Sequence, residues 1–266
     1  MFPFQFRHCV YNRAIHKRTF SGVSESIHQS QKASLGDSLI QVDKKDNILG
    51  PVPKLDSHLA AAIISGTVHR AFSVFLFSKS DNSLLIQKRS EHKIVFPRQW
   101  ANTCCSHPLY TDEEMENFDG NQIGIKRAAV KRLGVELGLA NFGVSNLCFK
   151  EKILYRQLSP GGTFGESECD YILLGQVDET TSPTTPNQEE LEGTIWIQPG
   201  SVGERTKLLK EFLETQRLQG FPPTPWFELM VKEADCLESW WSQLIQGREQ
   251  FFKKEDVRSG EIRDMF

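Results

Sequence analysis

Residues 123–139 read IGIKRAAVKRLGVELGL, and this stretch decides what kind of fold the chain can adopt. Ile125, Ala128, Ala129, Leu133 and Leu137 recur at helical spacing, so one stripe of the segment is apolar and the rest is not. The pattern predicts an amphipathic helix over Ile123–Leu139, with Gly138 near its end, where a glycine relieves a left-handed cap. Outward from it lie short β-branched and aromatic runs at Ser38–Val42, Ala71–Ser78, Ser83–Lys88, Leu147–Tyr155, Asp170–Leu174 and Thr194–Ile197. Lys79-Ser80-Asp81-Asn82 joins two of them as a hairpin, and Lys44-Lys45-Asp46-Asn47 reads as a turn before Ile48. Two further amphipathic helices are expected at Leu208–Leu218 and Phe227–Leu244, with Pro183, Pro186, Pro222, Pro223 and Pro225 marking loops. Strands and helices interleave without an internal repeat. The class is therefore α/β (or α+β), one mixed sheet covered by helices.

The bulk properties narrow the function. A chain of 266 residues supports one large domain, or one domain plus tails, and a sizeable core. Its 39% apolar and 24% charged residues suit a globular enzyme. Mean hydropathy is −0.39, and the densest apolar run, Ala71 to Phe77, is far shorter than the roughly 20 residues of a membrane span. A net charge of −3 asks for no nucleic-acid partner. Cys9, Cys104, Cys105, Cys148, Cys169 and Cys236 are too sparse for a disulfide scaffold, which favours a reducing compartment.

Residues 1–24 carry Arg7, Arg13, Lys17 and Arg18 and no acid, with Phe2, Phe4, Phe6 and Tyr11 interspersed. That composition fits a mitochondrial transit peptide, and Arg18-Thr19-Phe20-Ser21 resembles a cleavage context; a plain basic tail, with a cytoplasmic or peroxisomal protein behind it, is the alternative. Glu25 through Gly36 is polar and reads as linker. The expected organisation is 1–36 as targeting segment and linker, then 37–266 as a single domain with its core at about 67–232.

The densest chemical signal is Asn102-Thr103-Cys104-Cys105-Ser106-His107-Pro108. On an extended segment Cys105 and His107 share a face, and a nearby cation could lower the thiol pKa. A buried structural cysteine beside a satisfied histidine would leave the same signature. Gly165-Glu166-Ser167-Glu168-Cys169-Asp170 leads into the apolar run Tyr171–Leu174. Extended geometry puts Glu166 and Glu168 on one face, unfavourable unless a cation neutralises them or one holds a proton; a solvated acidic turn is the plain reading. His69 and His58, each alone, read as structural. Together, His58, His69, His107, Glu166 and Glu168 would make a five-ligand N/O site suited to Zn²⁺ or Mn²⁺ better than Ca²⁺.

Val135-Glu136-Leu137-Gly138-Leu139 resembles the end of a Nudix box, G-x5-E-x7-R-E-U-x-E-E-x-G-U, whose glutamates hold Mg²⁺ on a diphosphate. With Glu136 as the last glutamate, the other polar positions fall on Asn117, Ile123, Lys131, Arg132 and Val135. A hydrolase activating water needs several carboxylates there, whereas one can still hold Mg²⁺ against a diphosphate. Lys54, Arg89, Lys93 and Arg132 are the basic residues suited to such an anion; a solvated surface run is the alternative for Arg89 and Lys93.

These pieces, in this order, resemble type 1 isopentenyl-diphosphate Δ-isomerase, a Nudix-fold family of isoprenoid synthesis. The resemblance is carried by His69–Phe77, Asn102–Pro108, Gly165–Leu174, Thr224-Pro225-Trp226-Phe227 and Trp240-Trp241, and is collinear from about Leu39 to Phe252. It implies a Nudix-like mixed sheet sandwiched by helices with N- and C-terminal additions, and interconversion of isopentenyl and dimethylallyl diphosphate through a tertiary carbocation. It implies Cys105, Glu168 and Tyr155 as catalytic residues and His58, His69, His107, Glu166 and Glu168 as ligands of Zn²⁺, Mn²⁺ or Mg²⁺. Glu136 matches the ligand of a Mg²⁺ that enters with the substrate; Lys54, Arg89, Lys93 and Arg132 match diphosphate contacts, and Trp226 the aromatic facing the carbocation. The implied partner is a small prenyl diphosphate, with no nucleic acid and no membrane span, acting on a monomer. Ser167, Cys169 and Ala101 depart from the usual residues, and the Thr180–Gly203 segment is longer than usual, none of them at a ligand or catalytic position. A Nudix diphosphohydrolase and a non-catalytic metal-binding protein on the same fold are the alternatives.

Overall fold

The computed structural model describes residues 27–117, 120–139, 141–178, 183, 186–246 and 262–265. The basic segment 1–24, on which the targeting expectation rests, lies outside the described residues. In chain order the elements are α1 (Gln29–Lys32), β1 (Ser38–Val42), β2 (Ile48–Pro53), α2 (Lys54–His58), α3 (Ala60–Ile64), β3 (Val68–Ser78) and β4 (Leu84–Arg89). There follow β5 (Trp100–Ala101), β6 (Cys104–Ser106), α4 (Asp112–Met115), α5 (Ile123–Leu137), β7 (Leu147–Leu158), β8 (Gly165–Val177) and β9 (Leu191–Ile197). The chain then forms α6 (Lys207–Leu218), α7 (Pro225–Lys232), a π-turn at Ala234–Glu238, α8 (Ser239–Ile245) and β10 (Ile262–Asp264).

β3 is the axis of the sheet. Its residues are apolar on both faces and buried almost throughout, as expected for a strand covered from both sides. It runs parallel to β8, with His69 opposite Glu168 and Ser78 opposite Val177, and β8 pairs antiparallel with β7. The other edge of β3 is taken in turn by β1, β6 and β4, all antiparallel. The result is the mixed sheet expected from the sequence.

Each face is covered by helix. α5 lays Ile125, Ala128, Ala129, Leu133 and Leu137 on Phe72, Val74, Leu76 and Leu173. On the opposite face α7 and α8 press Trp226, Phe227, Met230, Trp240 and Trp241 against Phe75, Phe77, Ile172 and Leu174. Fully burying such side chains stabilises the fold by about 1.5–3 kcal/mol each.

Two helix boundaries differ from expectation. α5 stops at Leu137 because Gly138 adopts φ +71° and returns its N–H to Gly134 O. The single helix expected over Phe227–Leu244 is bent into α7, the π-turn and α8, with Cys236 at φ −93°, ψ −116°. The bend brings Glu238 to the start of α6, where its carboxylate accepts from the backbone N–H of Arg205 and Thr206 at 2.7 and 2.8 Å. It also keeps both Trp240 and Trp241 on the sheet. The described part of the expected linker packs inward: Ile27 and Gln31 are buried, and Gln31 and Leu35 line a cleft that also holds Lys54 and His58.

Candidate active site and metal centre

The register of three strands builds one row of side chains. Tyr155 on β7 lies opposite Glu168 on β8, and Glu168 opposite His69 on β3. Directly opposed residues share a face, so all three project to the same side. Glu166, Glu168 and Asp170 alternate along β8 on that side. Ser73 on β3 is paired with Cys105 on β6, which turns Cys105 to the same face and Cys104 to the other, beneath α5. Gly165 permits this: a Cβ there would sit 2.5 Å from Gln157 O, so a side chain would push β8 off β7 just before Glu166.

The five expected metal ligands converge. Glu166 Oε2 lies 3.0 Å from His58 Nε2, 3.7 Å from His69 Nε2 and 3.9 Å from His107 Nε2. Glu168 Oε1 lies 3.6 Å from His69 Nε2 and 2.7 Å from His107 Nε2. Ligand atoms of His58, His69, His107 and Glu166 all fall within 4.8 Å of one another. His69 is 0% exposed, and neither of its ring nitrogens has a hydrogen-bond partner among the described residues. A buried imidazole left so is unfavourable, and a divalent cation among these donors would satisfy it. His58 is already oriented for this: its Nδ1 lies 2.6 Å from the Lys54 carbonyl, an acceptor only, which fixes the proton there and turns Nε2 to the cluster. Burial lowers the His58 pKa, but the Glu166 carboxylate outweighs it and the net shift is upward. His107 moves well below the usual range through burial and the neighbouring His69 and His58.

Beside the cluster is a cleft of about 730 Å³ lined by Cys105, Tyr155, Glu168 and Trp226 among others. Burial pushes the Cys105 thiol up to about 12, against the pull of Arg89, whose Nη1 lies 3.4 Å from Sγ. The sequence left room for a lowered thiol pKa. The structure gives the reverse, because desolvation of a thiolate outweighs the adjacent guanidinium. Tyr155 is likewise driven well above its usual range, by burial and by Glu168, and stays a phenol. Trp226 forms the apolar wall, its ring 5.8 Å from that of Tyr155.

The four basic residues also meet at this cleft. Arg89 is pinned by the carbonyls of Phe96 and Val95 at 3.1 and 2.9 Å. Lys54 is drawn down to about 8, by burial first and then by Arg132 and Lys93, the cations that share the cleft with it. Behind them Glu136, fully buried on α5, is held down at about 2, burial being outweighed by Lys93, Arg132 and Arg89. Its Oε1 accepts from Lys93 Nζ at 3.2 Å and Arg132 Nε at 2.9 Å, while Oε2 has no partner among the described residues. A buried carboxylate oxygen without a donor, beside these two cations, is one that a further cation would satisfy.

No family model matches the chain. It is 36% identical to isopentenyl-diphosphate Delta-isomerase 1 of Mus musculus over 220 residues, which cover 82% of this chain and 90% of that protein. It is 35% identical to isopentenyl-diphosphate delta-isomerase of Phaffia rhodozyma over 246 residues, 91% of this chain and 89% of that protein. The chain belongs to the isopentenyl-diphosphate delta-isomerase family. Among solved structures it is similar to a Nudix hydrolase from Alicyclobacillus acidocaldarius, with TM-score 0.43 and 10% identity over 66% of this chain and 96% of that one.

Within this family member, sequence reasoning named the groups at the centre and missed those that hold them. Asn102 accepts the Trp226 indole N–H at 2.9 Å and donates to the carbonyls of Val74 and Cys104. Thr103 ties β3 to β4 through Leu76 N and Leu85 O. Asp170 takes the Ser73 hydroxyl at 2.7 Å, and its carboxyl rises well above the usual range through burial and the Glu168 charge. Asn102 and Asp170 stand inside motifs the sequence singled out, so position was the available signal. Glu190, which pairs with both Lys93 and Arg132, lies in no motif at all.

Proposed function

We propose that this chain interconverts isopentenyl and dimethylallyl diphosphate. The observation that carries the reading is the placement of Cys105 and the Tyr155–Glu168 pair in one cleft walled by Trp226, with the basic cluster at its end. Moving an unactivated double bond requires a proton delivered to one carbon and another removed from a neighbour. Cys105 and Glu168 are the two acid/base groups, and Tyr155, a phenol, donates toward Glu168. Lys54, Arg89, Lys93 and Arg132 hold the diphosphate at the far end, so that the hydrocarbon lies between the acid/base groups. The Trp226 face stabilises the tertiary cation by about 2 kcal/mol when desolvated and offers it no nucleophile. The Trp226 face also shields the cation on that side from water that would trap it as an alcohol.

The residues that would hold metal are His58, His69, His107, Glu166 and Glu168 at one site, with Zn²⁺ or Mn²⁺ favoured by the donor set over Mg²⁺, and Glu136 at the other, for Mg²⁺ with the substrate. Bound metal would supply positive charge that fixes the proton affinity of Glu168 and neutralises the diphosphate. The chain acts as a monomer in this reading, which sedimentation of the purified protein checks.

The test is chemical. Dimethylallyl diphosphate is allylic and ionises in acid, whereas isopentenyl diphosphate does not. Incubation with isopentenyl diphosphate should convert label from an acid-stable to an acid-labile form; release of inorganic phosphate or diphosphate instead would return the hydrolase alternative. We also propose that residues 1–36 direct the chain to mitochondria, on the strength of their acid-free, Arg-bearing first part. A reporter fused behind them should enter mitochondria, and a diffuse cytosolic signal would overturn that.

A further inference from the structure

Four charges close into a ring at the diphosphate end of the cleft. Lys93 Nζ lies 3.2 Å from Glu136 Oε1 and 2.5 Å from Glu190 Oε2. Arg132 Nη2 lies 2.9 Å from Glu136 Oε1 and 2.6 Å from Glu190 Oε2. Each cation thus bridges both carboxylates. Glu190 is no surface passer-by: its side chain is only 12% exposed, and its backbone is tied on both sides of the site. Ser90 N donates to Glu190 O at 3.0 Å, and the same turn reaches α5 through Asn187 N to Glu136 O at 2.8 Å. Next in sequence, Leu191 pairs with Arg89 across β4 and β9. Glu190 is therefore fixed by main-chain bonds to the strip that carries Arg89 and Lys93 and to the helix that carries Glu136 and Arg132.

We propose that Glu190 is a positioning residue of the diphosphate site: it holds Lys93 and Arg132 in the orientation in which they receive the anion. The inference rests on the reading that the diphosphate lies against these two cations. Glu136 and Glu190 are not equivalent in this. Glu136 Oε1 accepts from both cations while its Oε2 is free for a cation that accompanies the substrate, so that carboxylate is shared between two tasks. Glu190 is then the remaining carboxylate that keeps two long, flexible side chains from folding away into solvent, an ordering that otherwise must be met on binding. Charge-assisted bonds from Lys93 and Arg132 to a fixed carboxylate are strong enough to do this.

The sign of one measurement decides the matter. Deleting a negative charge from an anion site tightens anion binding if charge alone is at work. Loss of positioning weakens it. Inorganic diphosphate titrated calorimetrically into the full chain should bind about tenfold more weakly to Glu190→Ala than to wild type, the loss of one charge-assisted anchor. Glu190→Gln, which still accepts a hydrogen bond, should recover part of that affinity. With isopentenyl diphosphate, KM should rise by a like factor while kcat at saturation stays within about twofold. Equal or tighter diphosphate binding by a Glu190→Ala protein that melts cooperatively would overturn the proposal. Lys93→Ala separates the two layers of the argument: if it too leaves diphosphate binding unchanged, the placement of the anion is wrong. If it weakens binding while Glu190→Ala does not, only the role of Glu190 fails.

Discussion

The Trp226 indole Nε1 donates to Asn102 Oδ1 at 2.9 Å, and through that bond the cleft wall is tied to the turn that leads into β6 and Cys105. Asn102 is fully buried, and its amide nitrogen is spent on the carbonyls of Val74 and Cys104, which leaves the oxygen to face the indole. A ring held at its N–H keeps one orientation toward the reacting carbons. Asn102→Ala frees the ring and loosens the turn together. It should lower kcat by about tenfold to a hundredfold, the scale of a misplaced catalytic contact. Steady-state turnover with folding followed by circular dichroism checks this; unchanged kcat would break the proposed link.

Cys104 and Cys105 are neighbours on opposite faces of the sheet, and their serine variants should differ in kind. Cys105→Ser should fold normally and lose nearly all turnover, because a hydroxyl neither ionises nor donates as the thiol does. Cys104→Ser should retain turnover and lose about 1 kcal/mol of stability, since its hydroxyl lies beneath α5 among apolar side chains with only the Glu136 carboxylate as a polar neighbour in reach. Denaturant titration with parallel assays distinguishes them. The reverse pattern would mean that the wrong cysteine faces the substrate.

Removal of metal should be felt as stability as well as activity. Chelation of the as-purified protein should lower Tm, because an ion bound a thousandfold above its Kd contributes about 4 kcal/mol. His69→Ala should carry one equivalent less tightly bound metal by elemental analysis while folding with a Tm close to that of the stripped wild type. Equal metal content in wild type and His69→Ala would argue that the cluster holds no ion.

Behind the row of Tyr155, Glu168 and His69, on the other face of β8, Asp46 accepts from Arg70 Nε and Lys152 Nζ, each at 2.7 Å, and from the Tyr171 hydroxyl. Burial raises its pKa, but Arg70, Lys152 and Tyr171 together outweigh this and leave it below the usual carboxylate range. With the folded value below the unfolded one, its stabilisation is complete above about pH 4 and is lost as pH falls through the folded value. Asp46→Asn should therefore cost about 3 kcal/mol at pH 7, with the gap to wild type narrowing below about pH 4. Chemical denaturation of both proteins across that range checks the sign. A gap that widens on acidification would contradict it.

Much of this is legible in the amino-acid sequence. The strand of residues 71–78 and the helix beginning at Ile123 announce themselves by period, since the sheet and its covering helix must bury a face to exist at all. The three histidines and two glutamates were recognisable only as a set, through family resemblance, because nothing local to His58 or His69 distinguishes a ligand from a core histidine. The parallel pairing of β3 with β8 is what brings them together, and a register between strands so distant in sequence leaves no trace in either one. The bend at Cys236 was invisible because apolar periodicity continues through it; Glu238 capping α6 is a tertiary bond. Glu190 escaped for the same reason. Its partners Lys93 and Arg132 come from a loop and a helix far off in sequence, and a lone glutamate between Glu189 and Leu191 has no pattern to betray it.

The most direct test follows the proton. Purified protein, supplied with Mg²⁺ and Zn²⁺ or Mn²⁺, is mixed with isopentenyl diphosphate in D₂O and observed by proton NMR. The account expects dimethylallyl methyl signals to grow with deuterium incorporated from solvent, and both to vanish in Cys105→Ser. Methyl signals without deuterium, or release of diphosphate with no allylic product, would contradict a protonation–deprotonation route through Cys105 and Glu168.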